Sequence, residues 1–353
     1  EVVVAFTDPN TPAAAASLMR GARILEVDGV DVVSGSDVDA LNAGLFPSDA
    51  GEPHDFLVRD LDGTTRGFTM VSDTITSDPV QFVQVIDTPS GPVGYLFFSS
   101  HIATAEQELI EAVESLAAQS ITDLVVDLRN NGGGFLDIAN QFAYMIAGPS
   151  AASGRTFDEL VLNDKHSVTN PVTGAALAPD PFLETTQGFS TVAGDPLPTL
   201  NLPRVFVLSG PDTCSASESI INGLRGIDVE VILVGSTTCG KPYGFYAFDN
   251  CGTSYFSIQF GSSNAKGFGD YGDGFSPANA SQPAGVEIPG CAVADDYDHA
   301  LGDIAEGRLA AALDYRAYGT CPAATSVTVN SLAFNKPVNV ESEPGPRLIA
   351  RPV

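Results

Sequence analysis

Residues 214–218, Cys-Ser-Ala-Ser-Glu, place two serines and a carboxylate at a turn between an apolar run and a helical pattern. Ser215 and Glu218 have the spacing of a capping box, in which a serine and an acid stabilise the start of a helix. The same position suits a nucleophile, because backbone N–H groups and the helix dipole at a helix N-terminus stabilise developing negative charge. The segment therefore allows both a structural and a catalytic interpretation.

Two further segments could supply the other parts of a nucleophilic site. Only four of the 16 basic residues are lysines, and one of them, Lys241, stands in the turn Gly-Lys-Pro. A lysine shielded from water has a lowered pKa and can act as a general base. Residues 130–134, Asn-Asn-Gly-Gly-Gly, can bring backbone N–H groups close to a carbonyl oxygen, because glycine adopts conformations closed to other residues. Taken singly, Lys241 is typical of a solvated surface and the glycine run of a loop.

Each of the three segments follows an apolar run that predicts a buried strand. Strand patterns at 93–98, 123–128, 204–209 and 229–235 alternate with helical patterns. This alternation predicts an α/β fold with a mainly parallel sheet and helices on both faces. Because ligands bind at the carboxyl ends of parallel strands, we expect the three segments to meet there.

The remaining segments have other patterns. Residues 1–72 predict a small β-rich unit with hairpin turns at 28–29 and 62–63, both Asp-Gly. Residues 149–202, rich in Pro, Gly, Ser, Thr and Ala, predict a long insertion, either a lid over the site or a surface elaboration remote from it. Residues 298–316 predict a late helix.

The composition excludes several classes of function. A net charge of −28 argues against nucleic acid or anionic membrane as a partner. No run approaches the length of a membrane-spanning helix. Because the chain opens without an initiator Met or a signal peptide, we expect a trimmed mature form. Five cysteines, four of them beyond position 238, indicate an oxidising compartment.

Three blocks in this order and spacing resemble those of the carboxy-terminal processing peptidases, also called tail-specific proteases. The blocks are Asp-Leu-Arg-Asn-Asn-Gly-Gly-Gly (127–134), Cys-Ser-Ala-Ser-Glu (214–218) and Thr-Thr-Cys-Gly-Lys-Pro-Tyr-Gly (237–244). Residues 93–131 resemble the strand, helix and strand that lead into the first block, and residues 11–32 are similar to the second half of the family's PDZ domain.

The resemblance, which covers roughly 1–75 and 90–290, implies a division of the chain. It implies a PDZ-like domain (1–75), an α/β peptidase core of the ClpP/crotonase type (76–320, including the insertion) and a C-terminal tail (321–353). The loop by which a PDZ domain binds a terminal carboxylate is expected before residue 1, or is missing.

The resemblance also implies a Ser–Lys dyad that acts through an acyl-enzyme. The first serine of the second block, Ser215, matches the nucleophile, and Ser217 is then structural. Lys241 of the third block matches the general base.

The other matching positions surround this dyad. Ala216 and Gly133 match the residues whose N–H groups form the oxyanion hole, and Glu218 matches an acidic position that orients the dyad in some members. The family commonly has Gly-Lys-Gly with a glutamine a turn later, whereas here Pro242 follows the lysine and Phe245 stands four residues after it.

Three alternatives compete with the dyad. A Ser-His-Asp triad would need a histidine, but His54, His101, His166 and His299 lie outside the blocks, and no Gly-x-Ser-x-Gly surrounds Ser215. His101, which follows the strand at 93–98, is the least implausible of them. No HExxH or CxxC motif indicates a metal site, and 295–303 lacks the spacing of an EF-hand, so we expect neither a metal nor a cofactor. The third alternative is an inactive peptidase fold that only binds peptides, which loss of Ser215 or Lys241 would indicate; both are present.

The sequence therefore predicts a serine endopeptidase that cleaves unfolded or C-terminal polypeptide segments, in the periplasm, secreted or at the cell surface. Its partner is a polypeptide substrate, with no nucleic acid and no membrane span; the oligomeric state stays open. Cys291 and Cys321 bracket a helical stretch and Cys239 and Cys251 flank a hairpin-like segment, so we predict these two bridges, with Cys214 free.

Overall fold

The computed structural model describes residues 2–322, so the predicted tail lies outside the described residues except at its first two positions. The described residues divide into two compact units, one of residues 2–78 with 296–306 and one of residues 79–295 with 307–322. The overall α/β class predicted from the sequence is confirmed.

The first unit has an antiparallel sheet in the order β1-β2-β4-β5, with β3 paired to β2. The strands are β1 Val2–Val3, β2 Arg23–Val27, β3 Val30–Asp31, β4 Pro53–Arg59 and β5 Thr65–Val71, and the helices are α1 Pro12–Ala15 and α2 Val38–Leu45. Asp28 and Gly29 turn the β2–β3 hairpin with positive φ at both positions (51° and 76°), as the Asp-Gly signal predicts. Its small core includes Val27, Phe56 and Val58.

The second unit contains most of the chain. Its strands are β6 Val80–Ile86, β7 Val93–Phe98, β8 Asp123–Asp127, β9 Thr156–Val161, β10 Asp180–Pro181, β11 Arg204–Ser209, β12 Glu230–Gly235, β13 Tyr243–Gly244, β14 Phe248–Asn250, β15 Thr253–Tyr255, β16 Phe260–Ser263, β17 Phe275–Pro277, β18 Val286–Ile288 and β19 Gly290–Ala292. Its helices are α3 Ala105–Ala118, α4 Leu136–Ala147, α5 Pro149–Ala152, α6 Ala216–Gly226 and α7 Gly307–Tyr318, with a 3₁₀ turn at Asp164–His166.

A six-stranded sheet in the order β19-β12-β11-β8-β7-β6 is the frame of this unit. Neighbouring strands from β19 to β7 pair in parallel, and β6 pairs antiparallel to β7. Asp127 lies opposite both Phe97 and Leu208, and Ser209 lies opposite Gly235, so the carboxyl ends of four strands stand level. The loops that follow these strands therefore emerge side by side.

The main core lies between one face of this sheet and the helices α3, α4 and α6. It includes Leu96, Val126, Val207 and Leu233 from the strands and Leu109, Phe142 and Ile220 from the helices. All residues of α4 are buried, and α7 packs next to β11, β12 and β19. None of the helices within residues 2–322 is both long and apolar enough to cross a membrane.

The insertion 149–202 belongs to the fold through a strand and a buried carboxylate. Its strand β9 pairs with β10 and β16, in a second sheet of order β10-β9-β16-β13. Glu106 of α3 accepts hydrogen bonds from the N–H groups of Gln187 (2.6 Å), Phe189 (2.7 Å) and Ser190 (3.0 Å). Three backbone N–H groups of the second half of the insertion therefore bind it to the core, because all three donate to the carboxylate of Glu106.

The predicted helix at 298–316 is wrong in its first half, because α7 begins only at Gly307. Upstream of it, Asp296 accepts a hydrogen bond from the N–H of Asp298 (3.0 Å), and Asp303 accepts one from the N–H of Ala305 (2.9 Å). Such local side-chain bonds compete with helical hydrogen bonds and favour turns. Residues 296–306 group with the first unit, so they interrupt the predicted core 76–320.

Candidate active site

The turn between β11 and α6 holds Ser215 in an unusual backbone conformation. Ser215 has φ 58° and ψ −116°, a region that non-glycine residues rarely occupy and that costs about 1–3 kcal/mol. Upstream, Thr213 Oγ1 accepts a hydrogen bond from the Gly210 N–H (2.9 Å) and donates one to the Leu128 carbonyl (2.8 Å). The turn is thereby fixed to the neighbouring loop, as in a sharp strand-to-helix turn that presents a nucleophile.

The Glu218 carboxylate joins this turn to the loop that carries Lys241. Its Oε2 accepts hydrogen bonds from the N–H groups of Ser215 (3.0 Å) and Lys241 (2.8 Å). Its Oε1 accepts them from the Gly240 N–H (2.9 Å) and from Thr238 Oγ1 (2.5 Å). The Glu218 half of the predicted capping box is therefore present, and the same carboxylate also holds the next loop.

Burial raises the pKa of Glu218 above its ordinary value, while the bonds from Thr238, Lys241, Gly240 and Ser215 act in the opposite direction. The side chain is fully buried, so each of its four donors would lose its partner if the acceptor were removed. Glu218 is positioned to hold the site together.

Ser215 and Lys241 line one cavity of about 380 Å³. The other lining residues come from the same three loops: Asn130, Gly132, Gly134, Pro211, Asp212, Cys214 and Cys239. Lys241 Nζ lies 5.1 Å from the ring centroid of Phe245, a cation–π contact with the residue that replaces the family's polar side chain. No residue of 149–202 is among the lining residues, and the lid role of the insertion stays a prediction.

Gly133 lies directly against the turn that holds Ser215. A Cβ added at Gly133 would lie 2.8 Å from Ser215 Cβ and 2.9 Å from the Ala216 nitrogen, and its φ of +96° also requires glycine. The Gly133 N–H, however, already donates to Asn131 Oδ1 at 2.9 Å. The predicted oxyanion role of this N–H therefore does not fit this conformation, and Gly134 rather than Gly133 lines the cavity.

Asn131 has a connecting role in the site that the sequence did not predict. Its side chain accepts from the Gly133 N–H and donates to the Phe98 carbonyl (2.9 Å). Its backbone carbonyl accepts from the Cys214 N–H (3.0 Å) and from Ser217 Oγ (3.0 Å). Asn131 thus connects the glycine loop to the turn that holds Ser215, and the buried Ser217 hydroxyl contributes to the same connection. An asparagine just before a glycine run is the available signal, because asparagine readily bonds to nearby backbone.

His101 does not complete a triad with Ser215. It is fully buried, and its Nδ1 lies 3.0 Å from Asn131 Oδ1. That oxygen is an acceptor, so Nδ1 carries the proton, and within residues 2–322 Nε2 has no partner. Burial lowers the pKa of His101 to about 3, so the ring stays neutral. The other histidines, His54, His166 and His299, do not line the cavity either.

The disulfide prediction is half right. Cys291 and Cys321 are bridged as predicted, but the second bridge joins Cys214 to Cys239 and leaves Cys251 free and exposed. The predicted Cys239–Cys251 bridge is wrong because the parallel register of β11 and β12 brings the loops after these strands together. Cys251 instead occupies the turn of the β14–β15 hairpin.

Comparison with known proteins places the three loops in one family segment. Residues 92–245 match the model of Peptidase family S41. The carboxyl-terminal-processing protease of Picosynechococcus sp. (strain ATCC 27264 / PCC 7002 / PR-6) is 26% identical over 235 residues, 66% of this chain and 49% of that protein. The chloroplastic carboxyl-terminal-processing peptidase 1 of Arabidopsis thaliana is 24% identical over 231 residues, 64% of this chain and 41% of that protein.

Among solved structures, a candidate S41 protease from Bacteroides fragilis NCTC 9343 aligns with a TM-score of 0.67 at 22% identity, covering 90% of this chain and 78% of that one. At this identity the likeness shows a shared fold alone. The chain spans about half or less of the length of the curated relatives it matches. The family resemblance predicted from the three blocks is confirmed, and these relatives are peptidases, hydrolases of peptide bonds.

Proposed function

We propose that the chain is a serine endopeptidase that cleaves unfolded or C-terminal polypeptide segments through Ser215 and Lys241. One observation carries the proposal: a strained serine at a helix N-terminus shares a cavity with a lysine, and one buried carboxylate binds the backbone of both. Strained conformations of this kind persist at functional sites because the surrounding structure holds them. The three blocks of the family segment meet in this cavity.

In the proposed reaction, Ser215 Oγ attacks the scissile carbonyl while the neutral Lys241 amine accepts the hydroxyl proton. The resulting ammonium returns this proton to the leaving amine as the C–N bond breaks and the acyl-enzyme forms. Water then attacks the ester, again with Lys241 as base, and releases the acid product. Glu218 touches no reacting atom in this scheme and acts as a positioning residue.

The oxyanion needs two N–H donors, of which we assign one to Ala216, the first residue of α6. For the second we assign Gly134 in place of Gly133. His101 donates its N–H to the Gly133 carbonyl (3.1 Å) and accepts from the Phe135 N–H (2.8 Å), so the Gly134 N–H points to the other side, toward the β11 loop. One such donor contributes roughly 10²–10³ in kcat.

We assign residues 1–75 to a PDZ-like domain, and the two disulfides support a location outside the cytoplasm. The antiparallel sheet and two helices of the first unit agree with that assignment. The acidic surface argues against binding to nucleic acid.

The test is cleavage of an unfolded, casein-like substrate by the parent and by variants of the dyad. Ser215→Ala and Lys241→Ala should each abolish cleavage without unfolding the protein, and the parent's rate should rise with pH because only the neutral amine accepts a proton. Matched controls are Ser254→Ala in the exposed hairpin and Lys266→Ala, whose Nζ pairs with Asp228. Cleavage by either dyad variant at the parent's rate would refute the proposal.

A further inference from the structure

The Cys214–Cys239 disulfide lies next to both residues of the proposed dyad, Ser215 and Lys241. Cys214 immediately precedes Ser215, Cys239 stands two residues before Lys241, and both cysteines line the same cavity. Their Cα atoms are 5.2 Å apart although 25 positions separate them along the chain. This bridge is therefore a direct covalent link between the turn that holds the nucleophile and the loop that holds the base.

Besides the bonds to Glu218, hydrogen bonds join the two loops directly. The Cys239 N–H donates to the Thr213 carbonyl at 3.0 Å. Where the two loops begin, Ser209 Oγ donates to the Ser236 carbonyl (2.7 Å) and the Ser236 N–H donates to the Ser209 carbonyl (3.1 Å). Ser215 has a backbone conformation that non-glycine residues rarely occupy, which the neighbouring restraints must maintain. Each single hydrogen bond contributes only modestly to such a restraint. The covalent bond at the adjacent residue, Cys214, is a further restraint on this conformation.

A reductant can reach this bridge. Cys239 is exposed and Cys214 is half-buried, at the mouth of the cavity that a substrate would enter. The Cys291–Cys321 bridge lies away from this cavity, since neither of its cysteines lines it. Cys291 is buried in β19, at the edge of the main sheet. The chain therefore contains a matched control for any effect of reduction.

We propose that the Cys214–Cys239 disulfide positions Ser215 and Lys241 for catalysis, and that its reversible reduction by a dithiol lowers kcat. The inference rests on the proposed peptidase function. A dithiol thiolate attacks the exposed Cys239 sulfur, the S–S bond breaks, and Cys214 leaves as a thiolate. The second thiol then resolves the mixed disulfide. Two electrons and two protons pass to the protein, and the dithiol becomes a cyclic disulfide.

Reduction should lower kcat without unfolding the chain, because the Glu218 bonds and the core remain. Misplacement of a reacting group by about 1 Å can cost about 10²-fold in rate, so we expect a loss of roughly 10- to 100-fold in kcat. KM should change less than kcat, because the expected effect is on the placement of the two reacting groups. A purely structural bridge would instead change the free energy of unfolding and leave the kcat of folded protein unchanged.

The experiment uses the full chain with Cys251→Ser, which removes the exposed free thiol, in buffers of reduced and oxidised dithiothreitol. Alkylation and mass spectrometry report the state of each bridge while kcat and KM are measured. We expect kcat to follow the Cys214–Cys239 bridge and to recover on reoxidation. Cys291→Ala/Cys321→Ala should keep this response, and Cys214→Ala/Cys239→Ala should be slow and insensitive to dithiol. Full kcat with the Cys214–Cys239 bridge open overturns the proposal, as does a loss that follows Cys291–Cys321.

A second measurement separates this proposal from the peptidase function. Amide hydrogen exchange of peptides covering 213–217 and 237–242 should accelerate at least tenfold on reduction, whether or not a substrate is cleaved. If the bridged protein cleaves nothing, the peptidase function fails and exchange still decides the positioning role. Unchanged exchange in both peptides would contradict that role.

Discussion

Replacing Glu218 by glutamine keeps the shape of the side chain and removes half of its acceptors. Each carboxylate oxygen accepts two hydrogen bonds, Oε1 from Thr238 and Gly240 and Oε2 from Ser215 and Lys241. The amide nitrogen of glutamine cannot accept, so one of these pairs of donors loses its partner whichever way the amide is turned. All of these contacts are fully or partly buried.

The two orientations of the amide differ in free energy. With nitrogen in place of Oε2, two backbone N–H groups stay unpaired, at about 1–3 kcal/mol each. With nitrogen in place of Oε1, the Gly240 N–H stays unpaired. The Thr238 hydroxyl, which also accepts from the Phe275 N–H (2.8 Å), can rotate and accept from the amide, but its own hydrogen then loses the Glu218 acceptor. Because at least one buried backbone donor loses its acceptor in either orientation, Glu218→Gln should lower the free energy of unfolding by at least about 1–3 kcal/mol.

The assay is urea denaturation of the parent, Glu218→Gln and a control, combined with kcat on the unfolded substrate. Glu111→Gln is the control, because Glu111 is exposed and accepts from Gln107 on the same helix. Loosening of the Gly240–Lys241 backbone should also lower kcat more than it raises KM. A change in unfolding free energy no larger than that of Glu111→Gln, together with an unchanged kcat, would refute the anchoring role of Glu218.

Two further predictions concern the insertion and its attachment to the core. Burial alone would raise the pKa of Glu106, but the bonds from Gln141 and from the 187, 189 and 190 N–H groups bring it below its ordinary value. The stability that results is present above the unfolded-state pKa of Glu106 and is lost as pH falls through its folded-state pKa. Glu106→Gln should therefore flatten the acid side of a plot of unfolding free energy against pH and lower that free energy by about 1–3 kcal/mol at neutral pH. An acid side identical to the parent's would contradict the anchoring role of Glu106. Phe157 of β9 is 1% exposed and its ring lies 5.3 Å from that of Phe182, so Phe157→Ala should cost about 3–5 kcal/mol in urea denaturation. A cost below about 1 kcal/mol would show that β9 is not packed against the core.

The parallel strands and the three loops could be predicted from the sequence because each rests on a local pattern. Strands buried on both faces, such as β7 and β11, contain continuous apolar runs, and the loops after β8, β11 and β12 carry the family blocks. The parallel register of β11 and β12 then places Ser215 and Lys241 at the same edge of the sheet, whatever the identity of these two residues.

Contacts between distant segments could not be predicted in the same way. The Cys214–Cys239 bridge depends on the alignment of two strands, whereas the predicted Cys239–Cys251 bridge relied on closeness along the chain. The Gly133 N–H donates to Asn131 Oδ1, and the sequence spacing does not specify which nearby acceptor this N–H would bond to. The loop at 296–306 has a helical apolar pattern, but aspartate side chains compete for its backbone.

The central claim is that Ser215 is the nucleophile and Lys241 its base, and covalent labelling tests it most directly. A fluorophosphonate probe, which reacts with activated serines, is incubated with the protein, and the labelled peptide is mapped by mass spectrometry. We predict labelling at Ser215 that disappears in Ser215→Ala, slows strongly in Lys241→Ala and persists in Lys266→Ala. Labelling at Ser217 or another serine, or labelling at Ser215 that is independent of Lys241, would contradict the account.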